Sequence, residues 1–351
     1  MRETCWDNVV NIRHPALRVE MADPHVESTL SWSFLREEDL PELKDLRDAT
    51  DYLDDPIERV DLNNLHDLFD APYADPTRNA VVGRDRNGSV IAYAWGHPRQ
   101  GEGEARFWLD WAVHPAWRYR GIGEACIVWL RDRGLEWYEE QRAQGLADPL
   151  WLGGYVDEKL TLRLRQMEGG GFVAEKWFCD MKVMLDQVNP DVIQTPLPDG
   201  VRLAPLSPEL SEEVRRAHNC AFSTVPGANR LGTVVWEHIL AITTVRLDWS
   251  LVALDDHDRV VGYAVNSGYE PNWESQGYSE GWTEFLGTVP EWRGKGIARA
   301  LLANSLVLFR DAGLAGAGVG VDLHHGEAAY RLFTDLGYQP AERLVLLGMR
   351  P

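Results

Sequence analysis

Residues 281–309 read GWTEFLGTVPEWRGKGIARALLANSLVLF, a strand, a short basic glycine loop and a long helix in succession. Phe285, Leu286 and Val289 with their β-compatible neighbours mark a buried strand, and Pro290, which cannot donate to a ladder, stops it. After the loop, Ile297, Ala300, Leu301, Asn304, Leu308 and Phe309 recur at helical spacing, so the helix is expected to open at Gly296.

A helix that opens out of a glycine loop leaves its first backbone N–H groups unpaired and aimed at one point, where the helix dipole also favours negative charge. Gly294 and Gly296 let an anion approach the backbone, and Arg293, Lys295 and Arg299 surround it with positive charge. One such pattern alone is equally consistent with an ordinary strand-to-helix turn.

The pattern occurs twice. Residues 110–130, DWAVHPAWRYRGIGEACIVWL, repeat the strand, the proline, a Trp-Arg pair and a glycine loop before a helix. Arg118 and Arg293 stand 175 positions apart, half the 351-residue length. The strand-turn-strand at 80–96 likewise answers the one at 251–266, with Tyr93 and Tyr263 in matching places. A repeat of this period means two copies of one domain.

Both halves resemble the GNAT superfamily of N-acetyltransferases, whose signature at this junction is Arg/Gln-x-x-Gly-x-Gly/Ala. Arg118-x-x-Gly121-x-Gly123 and Arg293-x-x-Gly296-x-Ala298 fit it. The pairing is similar to the tandem group of that family that includes mycothiol synthase. The resemblance implies a mixed α/β (α+β) fold, two tandem domains each with a mostly antiparallel central sheet flanked by helices. It also implies that the loops hold the pyrophosphate of acetyl-CoA, the co-substrate. The implied contacts are Thr288, Val289, Arg293, Gly294, Lys295, Gly296, Ile297 and Ala298 in the second half, and Val113, Arg118, Tyr119, Arg120, Gly121, Ile122 and Gly123 in the first.

Composition narrows the function classes. A chain 44% hydrophobic and 26% charged is globular in character, and no apolar run reaches the roughly 20 residues that would span a bilayer. With no secretory stretch near its start, a cytoplasmic protein with no membrane partner is expected. A net charge of −20 argues against nucleic acid, while coenzyme A needs only a local basic patch. That acidic field suits a small cationic amine. Cys5, Cys126, Cys179 and Cys220 lack ligand spacing, the histidines form no constellation, and no metal is expected.

The expected organisation is an N-terminal arm (1–29), a first domain (30–187), a proline-rich linker (188–200) and a second domain (201–351). Asn-Gly at 87–88 signals a hairpin turn. The aromatic segment 266–281 reads as a loop near a ligand or a domain interface, or as a plug for a core edge. Either a monomer or a homodimer is compatible with this chain.

Transfer to an amine requires removal of the amine proton, a donor for the thioester oxygen and a proton for the leaving thiolate. The family's usual carboxylate lies eleven residues before the loop arginine, where this chain has Trp282 and Phe107. Glu284 and Glu280 flank Trp282 at strand parity, and Glu284 is the favoured base; the first half has Leu109 there. At the family's tyrosine acid the chain has Phe333, with Tyr330 one turn away as the candidate acid, and Met167 in the first half. The second half is therefore expected to catalyse transfer from acetyl-CoA to a small-molecule primary amine. A mycothiol synthase-like acetyltransferase and an acyl-CoA-binding regulatory protein without catalysis are the alternatives.

Overall fold

The structure is a computed structural model describing residues 19–21, 30–72, 74–99, 103–146, 148–189, 195–223, 230–324 and 326–351. Its chain divides into two compact units, one running to Glu175 and including Val345–Pro351, the other Lys176–Leu344. No helix of the described residues is long and apolar enough to cross a membrane.

The first unit contains strands β1 (Val19–Met21), β2 (Leu30–Phe34), β3 (Ala80–Arg84), β4 (Val90–Arg99), β5 (Ala105–Val113) and β6 (Leu150–Asp157), adjacent in that order. Neighbours are antiparallel except β5 and β6, which are parallel. The helices are α1 (Leu40–Asp54), α2 (Leu62–Phe69), α3 (Pro76–Asn79), α4 (Ile122–Ala143) and α5 (Thr161–Gly169). Leu40, Leu43 and Leu46 recur on one face of α1 and bury against Val82, Val90, Tyr93 and Trp95 of the sheet. The expected hairpin turns at Asp85–Gly88, where Gly88 takes φ 85° and its N–H donates to the Asp85 carbonyl at 3.0 Å.

The second unit repeats the plan with β8 (Arg202–Pro205), β9 (Leu251–Leu254), β10 (Val260–Ser267), β11 (Glu280–Thr288) and β12 (Gly316–Asp322). Its helices are α6 (Ser211–Ala221), α7 (Thr233–Ala241), α8 (Glu270–Gln276), α9 (Ile297–Asp311) and α10 (Glu327–Asp335). Here β11 and β12 are the parallel pair. Ile297, Ala300, Leu301 and Phe309 of α9 are buried as their spacing requires. Leu302, Ala303, Ser305 and Leu306 are buried too, whereas Asn304 and Leu308 are only half-buried. The helix buries more than one stripe because Leu251, Ala253 and Val261 cover one side and Met181, Val319 and Tyr338 the other. Each large side chain so buried contributes about 1.5–3 kcal/mol.

Two expectations change. The boundary expected at 188–200 falls inside the second unit, because β7 (Val173–Met184) pairs antiparallel with β12 from Phe178 to Met184. Correspondingly, β13 (Gln339–Met349) ends in the first unit, where the Leu347 carbonyl packs on Gly153 and Arg350 binds Glu104 and Glu175. Segment 266–281 is not a loop throughout: it contains α8, with Pro271 in the first turn and Gly277 at φ 81° closing it. Of the arm expected over 1–29, β1 pairs with β2 and the remainder lies outside the described residues.

Candidate active site

The strand-loop-helix junction of the second unit forms as its sequence dictates. Gly294 and Gly296 take φ 73° and 84°, left-handed values that disfavour residues with a Cβ, and Gly296 caps α9 with no side chain bonded to the first-turn amides. A Cβ at either glycine would enter open space, so backbone geometry selects them. In the first unit Gly121 takes φ 80° at the start of α4, and Tyr119 holds φ 63° in the place of Gly294.

The loop arginines serve as ties. Arg293 donates through Nε to the Thr288 carbonyl at 3.3 Å and through a terminal nitrogen to the Ala221 carbonyl at the end of α6. Arg118 repeats this, donating to the Val113 carbonyl at 3.3 Å and, bidentate, to Asp54 at the end of α1 at 2.6 and 2.7 Å. Both side chains lock the loop against strand and helix, so that the backbone amides and Lys295 or Arg120, and not these arginines, are left for the anion expected at the loop. These two cations lie 4.3 and 5.0 Å from the Trp292 and Trp117 ring centres. Arg299 pairs with Asp335 at 3.7 Å.

Ahead of the loop the halves diverge. On β10, Val265 opposes Phe285 while Asn266 opposes Thr283, so Glu284 is an inserted residue, a bulge in β11. Pairing of β11 with β12 runs from Glu280 to Thr283 and stops there. The strands therefore part where the bulge turns β11, opening an edge of backbone beside residues 284–288. In the first unit β5 pairs with β4 without interruption from Arg106 to Val113, and Leu109 and Phe107 are buried.

Pairing of β5 with β6 also stops, at Trp108, but α5 bridges the opening beyond that residue. Gln166 accepts from the Trp111 indole at 3.0 Å, and the Arg163 guanidinium lies 4.3 Å from the Trp111 ring centre and 3.5 Å from Asp110. Gln166 packs so closely on the start of α4 that a side chain at Gly123 would collide with it. The corresponding residues of the second unit, aligned on Phe333 for Met167, are Leu286, Ala329 and Leu332, partly buried and unable to make such a bridge.

Glu284 accepts from the Tyr269 hydroxyl at 2.8 Å. Glu280 is more deeply placed, accepting from the Tyr278 hydroxyl at 3.0 Å with Lys182 at 4.0 Å; burial raises its pKa against the pull of that ammonium. Trp282 shares the Glu280 face, since both side chains lie where a Cβ on Gly318 would point. Tyr330 packs its ring on the core cluster of Phe333 and Tyr338, and Phe333 itself is buried. Sequence reasoning missed a buried pair beside the bulge, His218 Nδ1 with the Tyr263 hydroxyl at 2.7 Å, its imidazole edge-on to Phe285 at 5.3 Å. Burial lowers the His218 pKa to about 4, so the ring is neutral at neutral pH. Only its place on the apolar face of α6, toward the tyrosine strand, could have marked it. Among the described residues no group of three or more His, Cys, Asp or Glu could hold a metal ion.

Comparisons with known proteins agree with this geometry. The acetyltransferase (GNAT) family model matches residues 40–147 and again 214–338. Among curated proteins, the mycothiol acetyltransferase of Pseudarthrobacter chlorophenolicus is 25% identical over 250 residues, 68% of this chain and 69% of that protein. Among solved structures, a GCN5-related N-acetyltransferase from Sphaerobacter thermophilus superposes with TM-score 0.66 at 24% identity, covering 92% of this chain and 96% of that one. A tandem GNAT protein from the clavulanic acid biosynthesis pathway gives TM-score 0.65 at 18% identity, covering 92% and 98%.

Proposed function

The chain belongs to the GNAT acetyltransferase family, and we propose on that basis that its second unit transfers an acetyl group from acetyl-CoA directly to a primary amine of a small molecule. The observation that carries this reading is the bulge at Glu284 where β11 parts from β12, immediately before the glycine loop. The first unit keeps the loop, but its strand is unbroken and its opening is bridged by Trp111, Arg163 and Gln166. It is the supporting half.

In this reading the amides of the Gly294–Ala298 turn hold the pyrophosphate, with Lys295 beside it and Thr288 and Val289 along the pantetheine. The thioester lies beside the part of β11 that is no longer laddered to β12, where a backbone N–H polarises the carbonyl. The amine nitrogen bonds to the carbonyl carbon, its proton passes to Glu284, the C–S bond breaks, and the thiolate takes a proton from Tyr330 or from water. Proximity and carbonyl polarisation supply most of the rate. The match to mycothiol acetyltransferases favours a narrower second reading, in which the acceptor is the one those enzymes use.

The test is release of free thiol from acetyl-CoA against a panel of primary amines, including the mycothiol acetyltransferase acceptor. Amine-dependent thiol release supports the reading; cofactor binding without thiol release would assign the chain to regulation instead.

A further inference from the structure

One face of the first unit gathers polar hydrogens that the described protein does not satisfy. Cross-strand pairing of β4 with β5 sets Tyr93 opposite Ala112, Trp95 opposite Asp110, His97 opposite Trp108 and Arg99 opposite Arg106, all on the side toward α1. From α1, Arg47 donates to the Tyr93 hydroxyl at 2.5 Å and to Asp110 at 2.9 Å, while Arg163 reaches Asp110 from α5. The indole N–H groups of Trp95 and Trp108 and the Nε–H groups of Arg47 and Arg163 are buried and find no acceptor among the described residues. Trp95 is only 1% exposed.

A buried donor left unpaired costs about 1–3 kcal/mol, so four around one carboxylate are not a feature that packing alone would retain. Charge points the same way. Arg47 and Arg163 flank the carboxylate of Asp110, with buried Asp51 also acting on Arg47, and burial lowers the His97 pKa to about 4, leaving it neutral. With Arg99, 5.9 Å from the Trp108 ring centre, three guanidinium groups stand against the carboxylates of Asp110 and Asp51. Apolar walls adjoin it: Trp108 stacks on Tyr155 at 5.3 Å and meets Trp151 edge-on at 4.8 Å, and Trp95 lies 4.9 Å from His97. Tyr155, 47% exposed, opens this wall to solvent. Aromatic walls with a few converging polar groups are the usual anatomy of a small-molecule site.

We infer that this face of the first unit binds a small carboxylate with a flat, aromatic body, its oxygens taking the donors of Arg47, Arg163, Trp95 and Trp108 and its ring lying against the tryptophan wall. Guanidinium and indole donors suit a carboxylate, whereas the cluster's acceptor, Asp110, is already engaged by Arg47, Tyr93 and Arg163 and leaves a primary amine little to donate to. The site is separate from the acyl-transfer reading and stands or falls without it.

The experiment is calorimetric titration of the full chain with benzoate, phenylacetate and indole-3-acetate, with benzamide and benzylamine as controls, followed also by tryptophan fluorescence. At least one carboxylate should bind one per chain, tenfold or more tighter than either control. Arg163→Met and Trp108→Leu should each weaken it tenfold or more. Trp108→Phe, which keeps a smaller aromatic ring while removing the N–H, should weaken it less and guards against a folding defect in the leucine variant. The inference is overturned if none of the three carboxylates binds, if benzamide binds as well as the acid, or if folded Arg163→Met and Trp108→Phe proteins bind unchanged.

Discussion

Gly296→Val probes the anion loop with little collateral damage. Gly296 takes φ 84°, and a Cβ there meets nothing within 4 Å, so the variant suffers backbone strain without a clash. A left-handed residue costs roughly 1–2 kcal/mol, and a β-branched one lies at the upper end. For a unit of this size that lowers the melting temperature by about 2–8 °C. If the turn amides bond a phosphate, the new side chain obstructs at least one charge-assisted hydrogen bond, worth about 1.5–3 kcal/mol. Acetyl-CoA should then bind roughly tenfold to 150-fold more weakly. Gly121→Val applies the same strain to the first unit, where φ is 80°, and should cost similar stability while leaving turnover intact. Calorimetric titration with acetyl-CoA and a melting curve on each variant separate the two effects. A Gly296→Val protein that melts lower but binds acetyl-CoA as the wild type does would refute the loop assignment.

Glu284→Gln should lower turnover by roughly 10²-fold or more at neutral pH, with partial recovery at higher pH as free amine forms, because a glutamine can still accept from Tyr269 but cannot take the proton; steady-state rates from pH 6 to 9 check this. Tyr330→Phe should slow thiol release if its hydroxyl is the acid and leave the rate unchanged if water is. Asp54→Asn removes the partner of a largely buried Arg118, with side chains 18% and 14% exposed, and should destabilise the first unit by about 3 kcal/mol in chemical denaturation. His218 is neutral in the fold and protonates more readily when unfolded, so stability should fall as pH drops from 6.5 toward 4, by roughly 3 kcal/mol for this residue. Melting curves of the wild type and His218→Asn across that range should converge as pH falls.

The loops and their duplication were legible because they are local: a proline stop, left-handed glycines and a helical stripe sit within thirty residues and recur. Which strand completes each unit was not legible. Residues 173–184 come directly after α5, and only the full set of partners shows that they pair with β12. The bulge was equally hidden, because Glu280, Trp282 and Glu284 read as one face of an unbroken strand, and only the pairing with β10 shows that the ladder skips Glu284 and the alternation reverses there. Asp110 drew no attention as a site residue, since its meaning depends on Arg47 and Arg163, which lie 63 and 53 positions away in sequence. Buried polar groups of this kind are recognisable only through their partners.

Whether the second unit performs the chemistry is decided by a crystal structure with acetyl-CoA bound. Pyrophosphate should lie on the amides at Gly294–Ala298 and the sulfur beside Glu284 where β11 leaves β12, with the bridge of Trp111, Arg163 and Gln166 intact in the first unit. A sulfur lying between β5 and β6, with that bridge displaced, would contradict this assignment and give the reaction to the first unit.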